Sequence, residues 1–305
     1  MCILALLLVF LLIILNIKYK EGTENVSVKS ELGIGIGNWF SAYFHELGYC
    51  ITKKEDFNFD VGDLEFIKYF PSELKYKYDD IYNEFEKNEI NRGWFETEKQ
   101  QGLSMWFVLD KKTEVFWTIM KPLIKNIYDD AFSKSNLVKK IDRPVIHFRC
   151  SDIPFNKGKD YTFQKYEFFK KALSEIEKRQ IKYDEVIICY CNTHRAENGN
   201  QKACDVYAKS LGEYLQFIGY KSMIQCQSNI DDFSTLYHAP ACISSGSSFS
   251  FMSGFFGNGI YISGGHDDIN NKNEPGDWLY KGYNLKHADV PDYHDTDDVI
   301  TKLSR

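Results

Sequence analysis

The chain has 305 residues, of which 44% are hydrophobic and 16% are aromatic. This is enough to fill two cores, each in a domain of roughly 120 to 150 residues. The net charge of −6 argues against nucleic acid as the main partner, because neutralising a phosphate backbone requires a basic face.

The chain begins with an apolar run. Residues 2–17 carry no charge, and Asn16 is their one strongly polar side chain. As a helix the run is roughly 24 Å long, slightly short of a ~30 Å hydrocarbon core. We expect an uncleaved single-pass anchor within residues 1–20, in a Golgi/ER-like or host membrane system. A cleaved signal peptide is the alternative, but no Lys or Arg precedes the run and no small-residue cleavage site follows it.

The orientation of this anchor stays open at the level of sequence. Lys18 and Lys20 follow the run and favour a cytoplasmic position for the rest of the chain. A Golgi-type enzyme requires the opposite orientation, in which Asn25-Val26-Ser27 is an acceptor for N-glycosylation.

The first half, residues 21–140, is predicted to form an α/β domain. A glycine-rich turn at Gly35 and Gly37 leads into a helix at 38–47, and Gly48 is expected to end this helix before a short strand. Further along, a charged and aromatic stretch at 75–94 predicts a solvated helical segment. An amphipathic helix is predicted at 113–132, and a domain boundary at 133–142.

The second half, residues 141–305, alternates between apolar runs and helical patterns. Strands are predicted at 144–149, 185–190, 222–226, 241–245 and 259–263. Helices are predicted at 166–178, around 203–218 with Gly219 as the stop, from Asp231 or Asp232 as the cap to His238, and at 247–256. Strands that are apolar on both faces and alternate with helices indicate a parallel, doubly wound sheet.

Two stretches of this half follow predicted strands and carry the residues of a phosphate site. One is IHFRCSD at 146–152, and the other is ISSGSSFSFMSGF at 243–255. A parallel sheet places both at the carboxyl ends of its strands, where an arginine and the free N–H groups of a helix start converge on a phosphate. Arg149 is one of only six arginines, and Arg195 follows another predicted strand. This pattern is the outline of a nucleotide-sugar site.

Three motifs in order resemble those of the GDP-fucose-dependent fucosyltransferase superfamily. They are GIGN at 35–38, HFR at 147–149 and SSFSF at 247–251, within a resemblance from residue 33 to about 265. The resemblance implies an α/β, GT-B-like fold of two Rossmann-like domains. Residues 1–20 are then the anchor or signal segment, 21–140 the acceptor-side domain and 141–305 the nucleotide-sugar-binding domain.

The resemblance also implies roles for individual residues. Arg149 corresponds to the arginine that contacts the donor diphosphate, and His147 to the histidine two residues before it. The turn that faces the interdomain cleft and the helix start that receives phosphate are Gly35, Gly37, Asn38, Ser247, Ser248 and Ser250. Asp232, at a predicted helix start, is predicted to be a further substrate-binding residue. The implied donor is GDP-fucose, and the implied acceptor is a glycan or glycoprotein.

The chain departs from the family pattern at two places. Many members carry a second arginine where this chain has Cys150, and Arg195 is a candidate to supply that charge. Phe251-Met252 stands where an aromatic pair is common, so the donor sugar stays open between fucose and another sugar. A non-catalytic glycan- or nucleotide-binding protein on a degenerate fold is the alternative function. No G-x-x-x-x-G-K-[ST] motif supports a P-loop kinase or sulfotransferase.

Transfer of a sugar from a nucleoside diphosphate requires stabilisation of the negative charge that grows on the leaving diphosphate. Asp295-Thr296-Asp297 has the spelling of a metal-binding pair, but it follows the last predicted strand and is interpreted as part of a polar tail. Arg149 and the helix start at Ser247 must then stabilise the charge, so we expect a metal-independent inverting displacement without a cofactor.

Simpler structural roles compete with each assignment. Arg149 could form a salt bridge with Asp152 or Asp142, the serines could only cap a helix, and His147 could be a core histidine. Asp152 is the first candidate for the general base because it follows Arg149 by three residues. His45 and Glu46 are its competitors.

The cysteines do not settle the cellular compartment, and no C-x-x-C pair occurs. Four of them lie in or beside predicted strands and are interpreted as small buried hydrophobic residues. They are Cys189, Cys191, Cys226 and Cys242.

Overall fold

The structure is a computed structural model that describes residues 35–62, 66–100, 111–150, 166–190 and 200–263. The predicted anchor at 2–17 lies outside these residues. Within the described ranges, no helix combines the length and the apolar character needed to cross a bilayer.

The described part of the first half is mainly helical. Its elements are α1 (Ile36–Lys53), β1 (Phe57–Asn58), a 3-10 turn (Ile67–Tyr69), β2 (Glu73–Leu74), α2 (Asp79–Lys87), α3 (Arg92–Gln100) and α4 (Lys111–Ser135). Its two strands pair antiparallel over two residues each. The parallel sheet expected of a second Rossmann-like domain is therefore not found among the described residues of this half, whose apolar residues recur at helical spacing.

Helix α1 is longer than predicted because Gly48 does not end it. A Cβ atom at Gly48 would lie 2.5 Å from Cε2 of Phe116 in α4. The missing side chain thus lets the two helices approach closely, and α1 continues until Lys54 adopts a left-handed conformation with φ of 55°. The predicted helix end at Gly48 and the strand after it are wrong, because this glycine serves packing and not a turn.

The predictions for the rest of the first half hold in part. Helix α4 confirms the amphipathic helix and extends it at both ends, with Pro122 inside it. The segment at 75–94 is helical over Asp79–Lys87 and from Arg92 onward, as predicted, but it buries Phe85 and Ile90 in the core. It is therefore only partly solvated.

The second half forms the predicted parallel sheet. Its elements are β3 (Val145–His147), α5 (Tyr166–Lys178), β4 (Glu185–Cys189), α6 (Asn200–Phe217), β5 (Lys221–Gln225), α7 (Asn229–His238), β6 (Ala241–Ser244), α8 (Ser248–Ser250, continued by a π-helical turn at Phe251–Phe255) and β7 (Ile260–Ser263). The sheet order is β5-β4-β3-β6-β7, and each neighbouring pair is parallel. All five predicted strands are confirmed, and the fold is a Rossmann-like α/β fold.

The sheet is covered on both faces, as its apolar strands require. Val145 of β3 packs with α1, α4, α7 and the α8 turn, whereas Ile146 and Phe148 pack with α5 and α6. Because successive side chains of a strand point to opposite faces, His147 lies on the α1 side of the sheet.

One aromatic core crosses from the first half into the second. The ring of Trp117 in α4 lies 5.9 Å from that of Phe251, and the ring of Phe40 in α1 lies 4.7 Å from that of Phe233 in α7. The predicted boundary at 133–142 therefore separates the elements in sequence, but the hydrophobic core continues across it.

Candidate functional site

The strand order defines a switch point between β3 and β6. β4 and β5 lie on one side of β3, while β6 and β7 lie on the other. In open parallel sheets, ligands bind at the carboxyl ends of the strands where the order reverses in this way. His147 and Arg149 leave β3 at this point, and the serine-rich segment after Ser244 leaves β6.

The exits of the two strands are joined by hydrogen bonds. The backbone N–H of Ser245 donates to the carbonyl oxygen of His147 at 3.0 Å, and the backbone N–H of Arg149 donates to Oγ of Ser245 at 2.9 Å. Ser245 thus fixes the backbone of Arg149. Sequence reasoning missed this residue because its partner is 96 positions away.

Two of the predicted serines, Ser247 and Ser250, have structural roles in the turn from β6 into α8. Gly246 has a φ of 90°, a conformation that favours glycine. Ser247 is the N-cap, and its Oγ accepts from the backbone N–H of Phe249 at 3.1 Å. The hydroxyl of Ser250 is buried and lies 2.6 Å from that of Ser244. Ser247 therefore caps α8, and its role at a phosphate stays a prediction.

The start of α1 meets the start of α8. The Ser248 hydroxyl donates to Oδ1 of Asn38 at 2.5 Å. A Cβ atom at Gly37 would lie 2.5 Å from the backbone nitrogen of Phe249, whereas one at Gly35 would have no neighbour within 4 Å in the described part of the chain. Gly37 therefore permits direct backbone contact between the two helix starts. The glycine-rich turn and the serine motif, which are far apart in sequence, form one structure.

These contacts gather positive charge at one point. α1 has 18 residues, its N-cap Gly35 provides no side-chain hydrogen bond, and neither α1 nor α8 carries an acidic residue in its first turn. The start of the long helix α1 carries a partial positive charge that favours an anion near it. The half-buried Arg149, whose charge acts on His147, adds a full positive charge.

His147 has an unsatisfied polar atom at this point. The side chain is buried, its ring centroid lies 5.3 Å from that of Phe249, and Nδ1 has no hydrogen-bond partner among the described residues. Burial, and secondarily the charge of Arg149, lowers the pKa of His147 from 6.5 to about 3. The ring is thus neutral near pH 7. Because buried polar atoms are normally paired, this nitrogen is available to a ligand, and the ligand role of His147 stays a prediction.

The burial of neutral His147 predicts a pH dependence of stability. Between pH 6.5 and about 3 the unfolded chain binds a proton that the folded protein does not, so the free energy of unfolding falls as the pH is lowered through this interval. His147→Gln lacks this titration and is expected to lose less stability, by on the order of a few kcal/mol. Urea unfolding of both proteins at about pH 7 and about pH 4 measures the difference. An equal decline would contradict a neutral buried His147.

Asp232 lies over the ends of β4 and β5, one strand away from the switch point. Its carboxylate accepts from Nε2 of Gln225 at 2.8 Å and from the backbone N–H of Gln227 at 3.2 Å, and burial raises its pKa. It does not cap α7 as predicted, because Ser228 is the N-cap and accepts from the N–H of Asp231 at 3.1 Å. The structure thus gives Asp232 protein partners.

Among the described residues, the cluster does not contain every residue predicted for the site. Asp152, Arg195 and the Asp295 to Asp297 pair lie outside the described residues, so their roles stay predictions. The carboxylate of Asp142, a candidate partner of Arg149, instead accepts from Nε of Arg143 at 2.8 Å. His45 lies further along α1, where its ring packs 4.8 Å from that of Phe95.

A disulfide links Cys150 to Cys204 in α6. Both residues are buried among the side chains of α5, α6 and the strands. The sequence did not predict this bond. Cys189 and Cys242 are buried thiols, as predicted.

The two other cysteines interpreted as buried differ from these. Cys226 is exposed, because it follows the edge strand β5, so the prediction that it is buried is wrong. Cys191 lies outside the described residues.

The fold and the cluster define a Rossmann-like α/β protein in which an arginine, a neutral histidine and two helix starts meet at the switch point. Comparison of the chain with known protein families, with curated proteins and with solved structures gives no match.

Proposed function

We propose that the protein is a glycosyltransferase that moves a sugar, fucose from GDP-fucose, to a glycan or glycoprotein by metal-independent inverting displacement. The observation that carries the proposal is the convergence of three distant motifs at the switch point. Asn38 contacts Ser248 across 210 positions, and Arg149 contacts Ser245 across 96. The same three motifs carry the resemblance to GDP-fucose-dependent transferases.

In the proposed reaction, an acceptor hydroxyl oxygen attacks the anomeric carbon of the sugar from the face opposite the diphosphate. The bond from that carbon to the diphosphate oxygen breaks, and the acceptor proton passes to a base. Arg149 and the N–H groups at the start of α1 stabilise the charge on the departing GDP. The neutral ring of His147 offers Nδ1 for a hydrogen bond to the donor. Asp152 remains the proposed base, with His45 and Glu46 as alternatives.

The GT-B-like arrangement is part of the proposal. The mainly helical first half would form the acceptor side, since α1 from this half reaches the switch point through Gly37 and Asn38. The Rossmann-like second half would hold the nucleotide through Arg149 and His147.

We also propose that residues 2–17 anchor the protein with its catalytic part on the lumenal side. The disulfide between Cys150 and Cys204 supports this orientation, because disulfides persist in oxidising compartments and are rare in the cytosol. Asn25-Val26-Ser27 is then accessible to glycosylation. A mass shift of the secreted or microsomal protein after deglycosylation tests this placement.

A panel of nucleotide sugars tests the central proposal. Thermal shift with each nucleotide reports binding, because a ligand specific to the folded state raises its stability with occupancy. Hydrolysis of each sugar donor reports turnover. GDP-fucose is expected to give the largest shift and measurable hydrolysis, and binding of another nucleotide sugar alone would overturn the choice of donor.

One observation favours a second candidate function. Cys150 is used in a disulfide at the position where many related enzymes carry a second arginine, so the site has one fixed positive charge fewer there. A non-catalytic nucleotide-binding protein would show a thermal shift with GDP but neither hydrolysis nor transfer. The same panel therefore separates the two candidates.

Activity is expected to survive removal of divalent metal ions. Arg149 and the helix starts supply the positive charge that a metal ion supplies in other transferases. Turnover of the donor with excess EDTA, and after adding back Mn²⁺ or Mg²⁺, measures this. An absolute requirement for either ion would contradict the mechanism and would return attention to Asp295 and Asp297.

The two serines at the start of α8 are expected to behave differently. Ser247→Ala removes the N-cap and should cost about 1 kcal/mol of stability with little change in GDP affinity. Ser248→Ala frees Asn38 from its hydrogen bond and should weaken GDP binding by a few-fold, through loss of the fixed contact between α1 and α8. Calorimetric titration with GDP and thermal unfolding of both variants measure the contrast. Equal effects on GDP affinity would contradict it.

A further inference from the structure

The exit of β3 is held by two anchors of different kinds. The backbone N–H of Arg149 donates to Oγ of Ser245, in the segment that follows the neighbouring strand β6, at 2.9 Å. The side chain of the next residue, Cys150, is bonded to Cys204 in α6, on the face of the sheet that α5 and α6 cover. The backbone that carries the guanidinium group is thus tied sideways to the segment after β6 and, one residue later, to a helix on one face.

The start of α6 is itself fixed to the strand ends. The hydroxyl of Tyr190 donates to Oδ1 of Asp205 at 2.7 Å, and the ring of Tyr207 lies 4.8 Å from that of Phe148. Cys204 is fully buried between these contacts. A covalent bond to this part of α6 thus attaches the residue after Arg149 to a rigid support.

We propose that the Cys150–Cys204 disulfide is a positioning element of the site: it fixes the exit of β3 so that Arg149 is held at the switch point, and its loss weakens nucleotide binding. This inference rests on the proposed function. An arginine gains binding strength from a fixed geometry, because ordering a long side chain and its backbone on binding costs free energy. The disulfide lowers that cost before the ligand arrives.

The first test compares GDP affinity with stability. Cys150→Ala/Cys204→Ala is expected to lower the melting temperature by roughly 5 to 15 °C and to weaken GDP binding tenfold or more, measured by calorimetry well below the melting transition. Leu215→Ala is the matched control, because this buried residue of α6 lowers stability without touching the β3 exit. GDP affinity of the double variant within twofold of the wild type would overturn the proposal.

Reduction of the wild-type protein gives an independent measurement in which both sulfur atoms remain. GDP affinity should fall tenfold or more on reduction of the wild type, and should not change on reduction of the double variant. Buried thiols are tolerated elsewhere in this sheet, at Cys189 and Cys242. If the reduced protein and the double variant both unfold, the disulfide stabilises the whole fold and the positioning role is rejected.

A double-mutant cycle tests whether the disulfide acts through Arg149. In the Arg149→Ala background, breaking the disulfide should cause no further loss of GDP affinity, whereas additive losses would overturn the proposal. Failure of the proposed function gives a different result, because the oxidised wild type then binds no nucleoside diphosphate at all. In that case hydrogen exchange at the Arg149 amide still tests the anchoring, and unchanged protection after reduction would reject it.

Discussion

Replacing Arg149 with Ala is expected to reduce turnover by at least about a hundredfold while leaving the fold intact. Its backbone leaves the central strand β3 next to Ser245, and the first turns of α1 and α8, IGNW at 36–39 and SFS at 248–250, contain no Lys or Arg that could replace the lost positive charge. Arg149→Lys should recover little, because a guanidinium group binds a diphosphate in a bidentate manner that an ammonium group does not reproduce.

Arg143→Ala is the matched control for this substitution. Arg143 lies at the opposite end of the same strand, where it pairs with Asp142 and Glu185. Its loss should reduce stability modestly and leave turnover per folded molecule unchanged. Steady-state kinetics of the three variants measure these changes in turnover. Full activity of Arg149→Ala would show that this residue takes no part in the mechanism.

Gly37→Ala is expected to be the most damaging single substitution in the glycine-rich turn. Alanine is normally preferred to glycine within a helix by about 1 kcal/mol, but here the added Cβ would lie 2.5 to 2.7 Å from backbone atoms of Ser248 and Phe249. Backbone atoms cannot rotate away, so α1 and α8 must separate. We expect a loss of about 1 to 3 kcal/mol or more and weakened GDP binding.

Gly35→Ala provides the comparison within the same motif. A Cβ atom at Gly35 would meet no described residue within 4 Å, and its φ of −61° is accessible to any residue. Its cost should not exceed about 1 kcal/mol, from the poorer N-cap. Urea unfolding and GDP titration of both variants separate the two glycines, and equal effects would show that the contact between the helix starts does not matter.

The parallel sheet could be predicted because its signal is local. Short apolar runs around Ile146, Ile188 and Ile243 are interrupted by amphipathic helices, and only a sheet covered on both faces satisfies such runs. The placement of His147 and Arg149 at a strand end followed from the same pattern. The sequence motifs therefore predicted which segments meet, though not which atoms touch.

The features that were missed depend on tertiary contacts. Glycine is the residue type expected at the end of a helix, but Gly48 instead allows α1 to pack closely against the ring of Phe116. Cys150 and Cys204 are 54 positions apart, and spacing alone cannot identify such a pair among eight cysteines. Ser245 was overlooked because its neighbours in the serine motif carried the resemblance, while its own hydroxyl fixes the backbone of Arg149.

The aromatic core that crosses between the halves limits how they can move relative to each other. Trp117 packs against Phe251 and Phe256, and Phe40 against Phe233, without an intervening polar layer. A rotation of one half against the other would shear these ring contacts, and close-packed interiors resist such sliding. These contacts disfavour a hinge at this interface, so a ligand of the proposed site would have to enter through local rearrangement near the strand ends.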